Sequence, residues 1–361
     1  MRETWLTLDA KALAGNVKVL RQAMPEARLL GMVKADAYGH GVRQIAPLLA
    51  RQADALGVAF LDEALALRAQ GIKTSIAVLE GVFTAAELAA ARKADLQLAV
   101  HSAPQVELLR RAPSGRPVMA WVKVNTGMNR LGFRPGEALK AWHQLRELRC
   151  VSRLGLMTHF ACADDIVHPM TMRQLSRFRT LQETLARAEG HAIEDSLANS
   201  AAILGWPTAR GAWMRPGIAL YGSSPFADTR AASLGLQPVM TLRSRVIATH
   251  VVPAGETVGY GAGWTATEDT RLAVVAIGYG DGYPRHAPSG TPVLINDRRC
   301  QLVGRVSMDM ITVDLGSVPA QPGDEAVLWG QGLPADEVAA AAGTISYELF
   351  CRLTPRVRRP A

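Results

Sequence analysis

The feature that most constrains this 361-residue chain is a rhythm: from residue 10 to residue 230, short apolar runs alternate with stretches of helical periodicity. The clear runs are 29–33, 55–60, 75–79, 96–100, 118–124 and 154–158, with weaker ones near 193–197 and 213–214. Helix signals lie between them. Asp9 stands as a cap ahead of Leu13, Val17 and Leu20, which share one face at helical spacing. Thr84 followed by Glu87 forms a capping box, while Asp62 opens a helix that Gly71 closes. Near-continuous apolar strands joined by helices indicate a parallel sheet covered by helices. Eight such units predict an α/β fold, a closed (β/α)8 TIM-like barrel. An open doubly wound sheet is the alternative, although no GxGxxG follows the first strand.

The pattern changes near residue 236. Segments 240–252, 272–278, 292–296, 301–303 and 310–315 are β-rich and separated by turn chemistry, and helical periodicity is scarce until 335–342. A second, mainly β domain is expected. The division read from the sequence is a barrel over residues 9–230 and a β-domain over 237–361.

Composition removes several classes. Lys and Arg total 40 against 32 Asp and Glu, a net charge of +8, but the positive charge is dispersed apart from the tail at Arg352–Arg358. No basic stripe with interleaved aromatics suggests a nucleic-acid partner. The cysteines at 150, 162, 300 and 351 share no metal-ligand or redox spacing, so neither a bound metal nor a disulfide framework is expected. The first residues lack the apolar stretch of a signal peptide, and no run approaches the roughly 18 apolar residues of a membrane span. A cytoplasmic protein with reduced thiols fits these traits.

In an eight-stranded α/β barrel the chemistry sits at the C-terminal ends of the strands. Strand one ends in Lys34, strand five in Lys123 with Arg130 shortly after, strand six in His159 and strand seven near Asn199-Ser200, while strand eight leads into Arg215-Pro-Gly-Ile218. So cationic a cluster suits a ligand carrying phosphate or carboxylate. Each residue also has a plainer reading. Lys34 could be a solvated loop lysine, His159 a satisfied core histidine and Tyr38 core filler; Gly217 with Ile218 is a short glycine turn that could offer N–H groups to a phosphate. In the β-domain, Val258-Gly-Tyr-Gly-Ala-Gly263 gathers three glycines around Tyr260, and Asp309 follows Met308 in a strand-like setting.

Taken together these segments resemble the alanine racemases, pyridoxal-phosphate (PLP) enzymes that pair an α/β barrel with a β-domain. The resemblance is carried by Val33-Lys-Ala-Asp-Ala-Tyr-Gly-His-Gly41, Lys123-Val-Asn-Thr-Gly-Met-Asn-Arg-Leu-Gly132, Thr158-His-Phe160, Asn199-Ser-Ala201 and Arg215-Pro-Gly-Ile-Ala-Leu-Tyr-Gly222. It continues through Val258-Gly-Tyr-Gly261, Ile277-Gly-Tyr-Gly-Asp-Gly-Tyr283, Gly304-Arg-Val-Ser-Met-Asp-Met310 and Ser346-Tyr347, in family order over nearly the whole chain. It implies that an N-terminal strand, about residues 2–8, joins the β-domain.

Position by position, Lys34 resembles the lysine that anchors PLP. Tyr38, Ser200, Gly217, Ile218 and Tyr347 match phosphate-binding positions. Arg215 matches the arginine at the pyridine nitrogen, with His159 beside it. Tyr260 matches the second base, which reaches the site from a partner subunit, so the resemblance implies a homodimer. Arg130 and Met308 match positions at the substrate carboxylate, Lys123 a lysine often carbamylated behind that arginine, and Tyr279 an aromatic lining the access channel. Three positions depart: Asn125 stands where many members have Asp, Asn129 is at a variable place, and Ser196 takes a place often held by His behind His159. The implied activity is interconversion of L- and D-alanine by two bases, the D-enantiomer serving as a peptidoglycan precursor. A racemase for larger amino acids would share the motifs. A PLP-barrel decarboxylase fits Tyr260 and Arg215 poorly, and PLP carriers of this barrel type tend to lack the β-domain.

Overall fold

The computed structural model describes residues 3–359. The outer ends of the expected units, residue 2 and residues 360–361, lie outside the described residues. The chain begins with β1 (Trp5–Leu8) and then winds a closed parallel barrel. Its strands are β2 (Arg28–Met32), β3 (Ala55–Val58), β4 (Ser75–Val78), β5 (Leu96–Val100), β6 (Val118–Lys123), β7 (Val151–Met157), β8 (Asp195–Ser196) and β9 (Trp213–Met214). β9 returns to β2, with Trp213 opposite Arg28, and closes the cylinder. Strands β3, β5 and β6 are buried at every position, which is why they read as unbroken apolar runs rather than alternating ones.

Two helix starts behave as read. Asp9 accepts the N–H groups of Lys11 and Ala12 ahead of helix Ala10–Ala23, and Thr84 shares a reciprocal cap with Glu87. The third differs by position: its helix begins at Leu61, and Glu63 rather than Asp62 accepts the terminal N–H of Phe60. Gly71 does follow that helix, at φ +81°.

Inside the barrel, β7 makes room for a large side chain. Trp121 on β6 is fully buried, and a Cβ on Gly155 would lie 2.5 Å from its ring. The indole N–H donates to Gln97 Oε1 at 2.8 Å, so its polar atom is satisfied in the core.

The second unit holds β10 (Met240–Val252), β11 (Thr257–Val258), β12 (Trp264–Thr265), β13 (Thr270–Val275), β14 (Pro292–Ile295), β15 (Arg298–Val303), β16 (Ile311–Asp314) and β17 (Glu325–Trp329). The order β10-β13-β16-β15-β14-β17 closes on itself through β17–β10 pairing, and β1 adds antiparallel to β10. The implied N-terminal strand thus joins the β-domain. Helices Ala335–Ala341 and Ser346–Cys351 finish it. Among the described residues no helix is long and apolar enough to cross a membrane.

Asn16, fully buried on the first barrel helix, bolts that helix to the segment leading into β10. Its amide donates to Leu220 O at 3.0 Å and Gln237 O at 2.8 Å, and accepts Gln237 N–H at 2.8 Å. Asn16→Ala would strand Leu220 O in the core and leave the carbonyl and N–H of Gln237 without their partner. A loss of about 3 kcal/mol in unfolding free energy is expected, measured by urea titration at fixed protein concentration; a change under about 0.5 kcal/mol would remove this bolt from the account.

Candidate active site

Lys34 follows β2 and is half-buried at the C-terminal end of the barrel. The backbone then does something L-residues avoid. Ala35, Asp36, Ala37 and Tyr38 lie at φ +51°, +56°, +54° and +52°. The N–H groups of Gly39 and Gly41 donate back to Ala35 O and Asp36 O, which makes one turn of left-handed helix. Such a conformation costs roughly 1–2 kcal/mol per residue with a Cβ. Strain of this kind persists where the surroundings over-determine it. Gly39 fits because it has no side chain: a Cβ there would lie 1.9 Å from Phe350 O. His40 fills the space behind, its ring 4.4 Å from that of Tyr221 and 4.9 Å from that of Phe350, with Nδ1–H donating to Tyr38 O at 2.8 Å.

The turn carries Tyr38 over the end of β9. Tyr38 stacks on Tyr221 at 5.0 Å and tilts against Tyr347 at 6.0 Å. A Cβ on Gly217 would sit 2.2 Å from Tyr38 Oη, so only glycine lets the phenol approach this backbone. Ser200, at the start of helix Ser200–Gly205, accepts the N–H groups of Gly217 at 2.9 Å and Ala219 at 3.3 Å on its Oγ. Hydroxyls of Tyr38 and Ser200 thus converge with backbone N–H groups beside Gly217, and Tyr347 stands next to Tyr38. Burial pushes the phenols of Tyr38 and Tyr347 far above their usual range. They stay O–H donors at any ordinary pH. A cradle of neutral donors binds an anion without titrating.

Arg215 closes the site from the other side. It is buried, with Nη1 donating to Ser196 Oγ at 2.6 Å and Nη2 to Thr158 O at 2.5 Å and Leu197 O at 3.2 Å. Burial lowers its pKa only to about 10, so it remains a guanidinium near neutrality. Its Nη2 lies 3.4 Å from His159 Nδ1. Burial first, then the charges of Arg215, Arg130, Lys123 and Lys34, hold His159 neutral, well below its usual range. Lys123 is buried at the end of β6, 3.5 Å from Glu80 Oε2 and donating to Leu79 O at 3.3 Å. Its pKa is also lowered, by burial most, with Glu80 opposing and Arg215 and Arg130 adding to the drop. Arg130 itself is exposed on the loop after β6.

The remaining expected residues lie on loops of the β-domain. Tyr260 is 68% exposed, and Met308 and Tyr279 are also open. Tyr279 N–H donates to Ser307 O and Gly280 N–H to Met308 O, so those two loops are tied together. Arg356 braces both, 2.5 Å from Asp309 and 3.4 Å from the buried Asp281.

Sequence reasoning missed Gln174. Fully buried on helix Met170–Glu189, it donates to Thr126 Oγ1 at 3.0 Å and His159 O at 2.9 Å and accepts Ala161 N–H at 2.9 Å. It ties the ends of β6 and β7 together. The signal was present: Gln174 shares the stripe of Thr171, Phe178, Leu181 and Leu185, where a polar residue needs partners. Glu80 was missed too, because nothing local marks an acid that faces Lys123.

Two family models match: "Alanine racemase, N-terminal domain" over residues 8–225 and "Alanine racemase, C-terminal domain" over 239–361. Alanine racemase of Halorhodospira halophila is 49% identical over 355 residues, covering 98% of this chain and 96% of that one. That of Vibrio cholerae is 46% identical, covering 99% and 98%. Among solved structures, the biosynthetic alanine racemase of Pseudomonas aeruginosa superposes with a TM-score of 0.94 at 46% identity, over 100% of this chain and 99% of that one. Alanine racemase from Acinetobacter baumannii gives 0.93 at 40% identity, over 99% of each.

Burial lowers His40 to about 3. Its folded pKa lies below the unfolded value of about 6.5, so its stabilisation is complete above pH 6.5 and drains as pH falls toward 3. Stability should drop by up to about 1.4 kcal/mol per pH unit from this group in that window. His40→Asn, which keeps a donor for Tyr38 O, should flatten the acid limb of a plot of unfolding free energy against pH. An unchanged slope would mean His40 takes up its proton without unfolding.

Proposed function

Because the chain belongs to the alanine racemase family, we propose that it interconverts L- and D-alanine with pyridoxal phosphate, using Lys34 and Tyr260 as bases on opposite faces of Cα. The observation that carries this reading is convergence at one barrel mouth of Lys34, the neutral-donor cradle of Tyr38, Ser200 and Gly217, and the buried Arg215. The cradle fits a phosphate, and the amine and guanidinium fit the two ends of a pyridine aldehyde. When bound, that cofactor supplies the electron sink that makes the Cα proton removable.

The protein's own groups do the rest. Tyr38, Tyr347 and Ser200 hydroxyls, with the N–H of Ile218 and the Ser200-bound backbone at Gly217, would hold the phosphate. Arg215 would face the ring nitrogen, and because a guanidinium only donates it would keep that nitrogen an acceptor. Neutral His159 lies beside Arg215 and adds no second charge. Lys34 Nζ would anchor the cofactor and would hold or return the proton on one face of Cα. Tyr260 Oη serves the other face. Arg130 and Met308 orient the substrate carboxylate, Lys123 stands behind Arg130 as the candidate for carbamylation, and Tyr279 lines the access channel.

Tyr260 acts from the partner subunit in this reading. Its exposure on a β-domain loop supports that, as do two sets of open apolar side chains. Tyr260, Tyr279, Met308 and Met310 lie on the β-domain, and Phe60 and Phe83 lie at the ends of β3 and β4. A symmetric homodimer would cover each set with the other and build two shared sites. The enzyme would work in the cytoplasm, supplying D-alanine for peptidoglycan or consuming it.

Chiral chromatography of a panel of L-amino acids incubated with PLP-loaded protein should give D-alanine as the dominant product. Dominant D-serine, D-lysine or D-arginine would keep both bases and move the substrate to a wider pocket; no D-product would sink the racemase reading. A Lys34→Ala chain and a Tyr260→Ala chain, each inactive, should recover about a quarter of wild-type activity when mixed, through one intact hybrid site per mixed dimer. No recovery with subunit exchange confirmed would place the second base in cis. Arg215→Glu should protonate the ring nitrogen, strengthen the electron sink and raise pyruvate formation relative to racemisation, read by a coupled pyruvate assay. An unchanged ratio would end that account of Arg215.

A further inference from the structure

The left-handed turn after Lys34 bears side chains at four successive positions, so its neighbours must hold it. Two carboxylates do. Glu63 accepts three backbone N–H groups: Ala59 at 2.8 Å, Phe60 at 3.1 Å and Ala35 at 2.7 Å. The first two cap its own helix. The third crosses to the peptide that immediately follows Lys34. Asp36 secures the far end. Its Oδ1 accepts Val42 N–H at 2.7 Å, and its Oδ2 meets the Arg359 guanidinium at 2.6 Å. Arg359 follows Arg358, which exchanges backbone hydrogen bonds with Thr4 and Leu6 on either side of Trp5. The turn is therefore tied to the barrel through Glu63 and to the β-domain through Asp36.

We propose that Glu63 and Asp36, with Arg359 behind Asp36, are positioning residues for the reaction: they hold the left-handed turn that aims Lys34 and Tyr38 at one cofactor. This rests on the PLP reading above. Lys34 and Tyr38 are four residues apart, and only the left-handed path between them puts the amine at the barrel mouth and the phenol against Gly217. A half-exposed ion pair adds little stability by itself. Its effect here is on direction, because a strained turn released at either end relaxes toward right-handed or extended backbone and swings the two side chains apart. Glu63 uses both oxygens, and a glutamine offers one acceptor oxygen, so Glu63→Gln must give up either the cap or the bond to Ala35.

The test is equilibrium titration of apoprotein with PLP, followed by absorbance, alongside kinetics and thermal unfolding. Wild-type apoprotein must bind PLP saturably; if it does not, the cofactor reading fails. Given that binding, Glu63→Gln and Asp36→Asn should each weaken PLP affinity and lower kcat by about tenfold, with KM for alanine changed by less than about twofold. A second substitution separates aim from general damage. Ala35 is exposed and sits at φ +51°, where glycine carries no Cβ penalty. Adding Ala35→Gly to Glu63→Gln should restore most of the lost affinity. Arg359→Gln, which leaves both carboxylates in place, should give a smaller loss in the same direction. PLP affinity within about twofold of wild type in both single carboxylate variants would overturn the proposal, as would a loss that Ala35→Gly does not recover. Should Glu63→Gln fail to fold, Asp36→Asn and Arg359→Gln carry the same test.

Discussion

The site hangs on one backbone constraint: four consecutive residues with side chains held at positive φ immediately after Lys34. Everything around that turn is shaped by it. Gly39 must be glycine to clear Phe350 O, His40 must be buried to support the turn from behind, and helix Ser346–Cys351 must pack where it does to provide both Phe350 and Tyr347. Opposite, Gly217 must lack a Cβ for Tyr38 to reach the cradle. The barrel gives the turn a rigid strand to start from, and the β-domain gives it a wall.

The electrostatics of the mouth follow a second rule, a division between groups that keep their charge and groups kept from having one. Arg215 remains a cation because even full burial leaves its pKa near 10. His159 gives up its proton to the same burial and to its cationic neighbours. The phenols keep theirs. Near neutral pH these four groups therefore have fixed protonation states, and proton traffic is left to side chains that face the open part of the site. The hydroxyl of Ser196 extends the rule: the partner of Arg215 Nη1 has no charge to vary.

Much of this architecture was readable before any coordinates. Eight apolar runs at β-strand length separated by helical periodicity have few solutions, and the barrel rule then points to strand ends, which is how Lys34, Lys123, His159, Ser200 and Arg215 stood out. What stayed hidden depends on long-range geometry. Nothing in Lys-Ala-Asp-Ala-Tyr hints at left-handed backbone, since Ala and Tyr are poor residues for it and only tertiary contacts impose it. The helix start points to Asp62 and leaves Glu63 unmarked; the third hydrogen bond of Glu63 reaches 28 residues back. Gln174 was visible as a polar residue in an apolar stripe, but its partners come from two other strand ends.

The strand that opens the described chain pairs with β10, and the last described residues lie alongside that same strand. The whole barrel is thus inserted between two pieces of one β-domain. During synthesis the barrel strands leave the ribosome long before the segment that walls the lysine turn. Loss of Tyr347, Phe350 and Arg359 would spare every barrel strand and strip the lysine turn of two aromatic walls and of its tie to the β-domain.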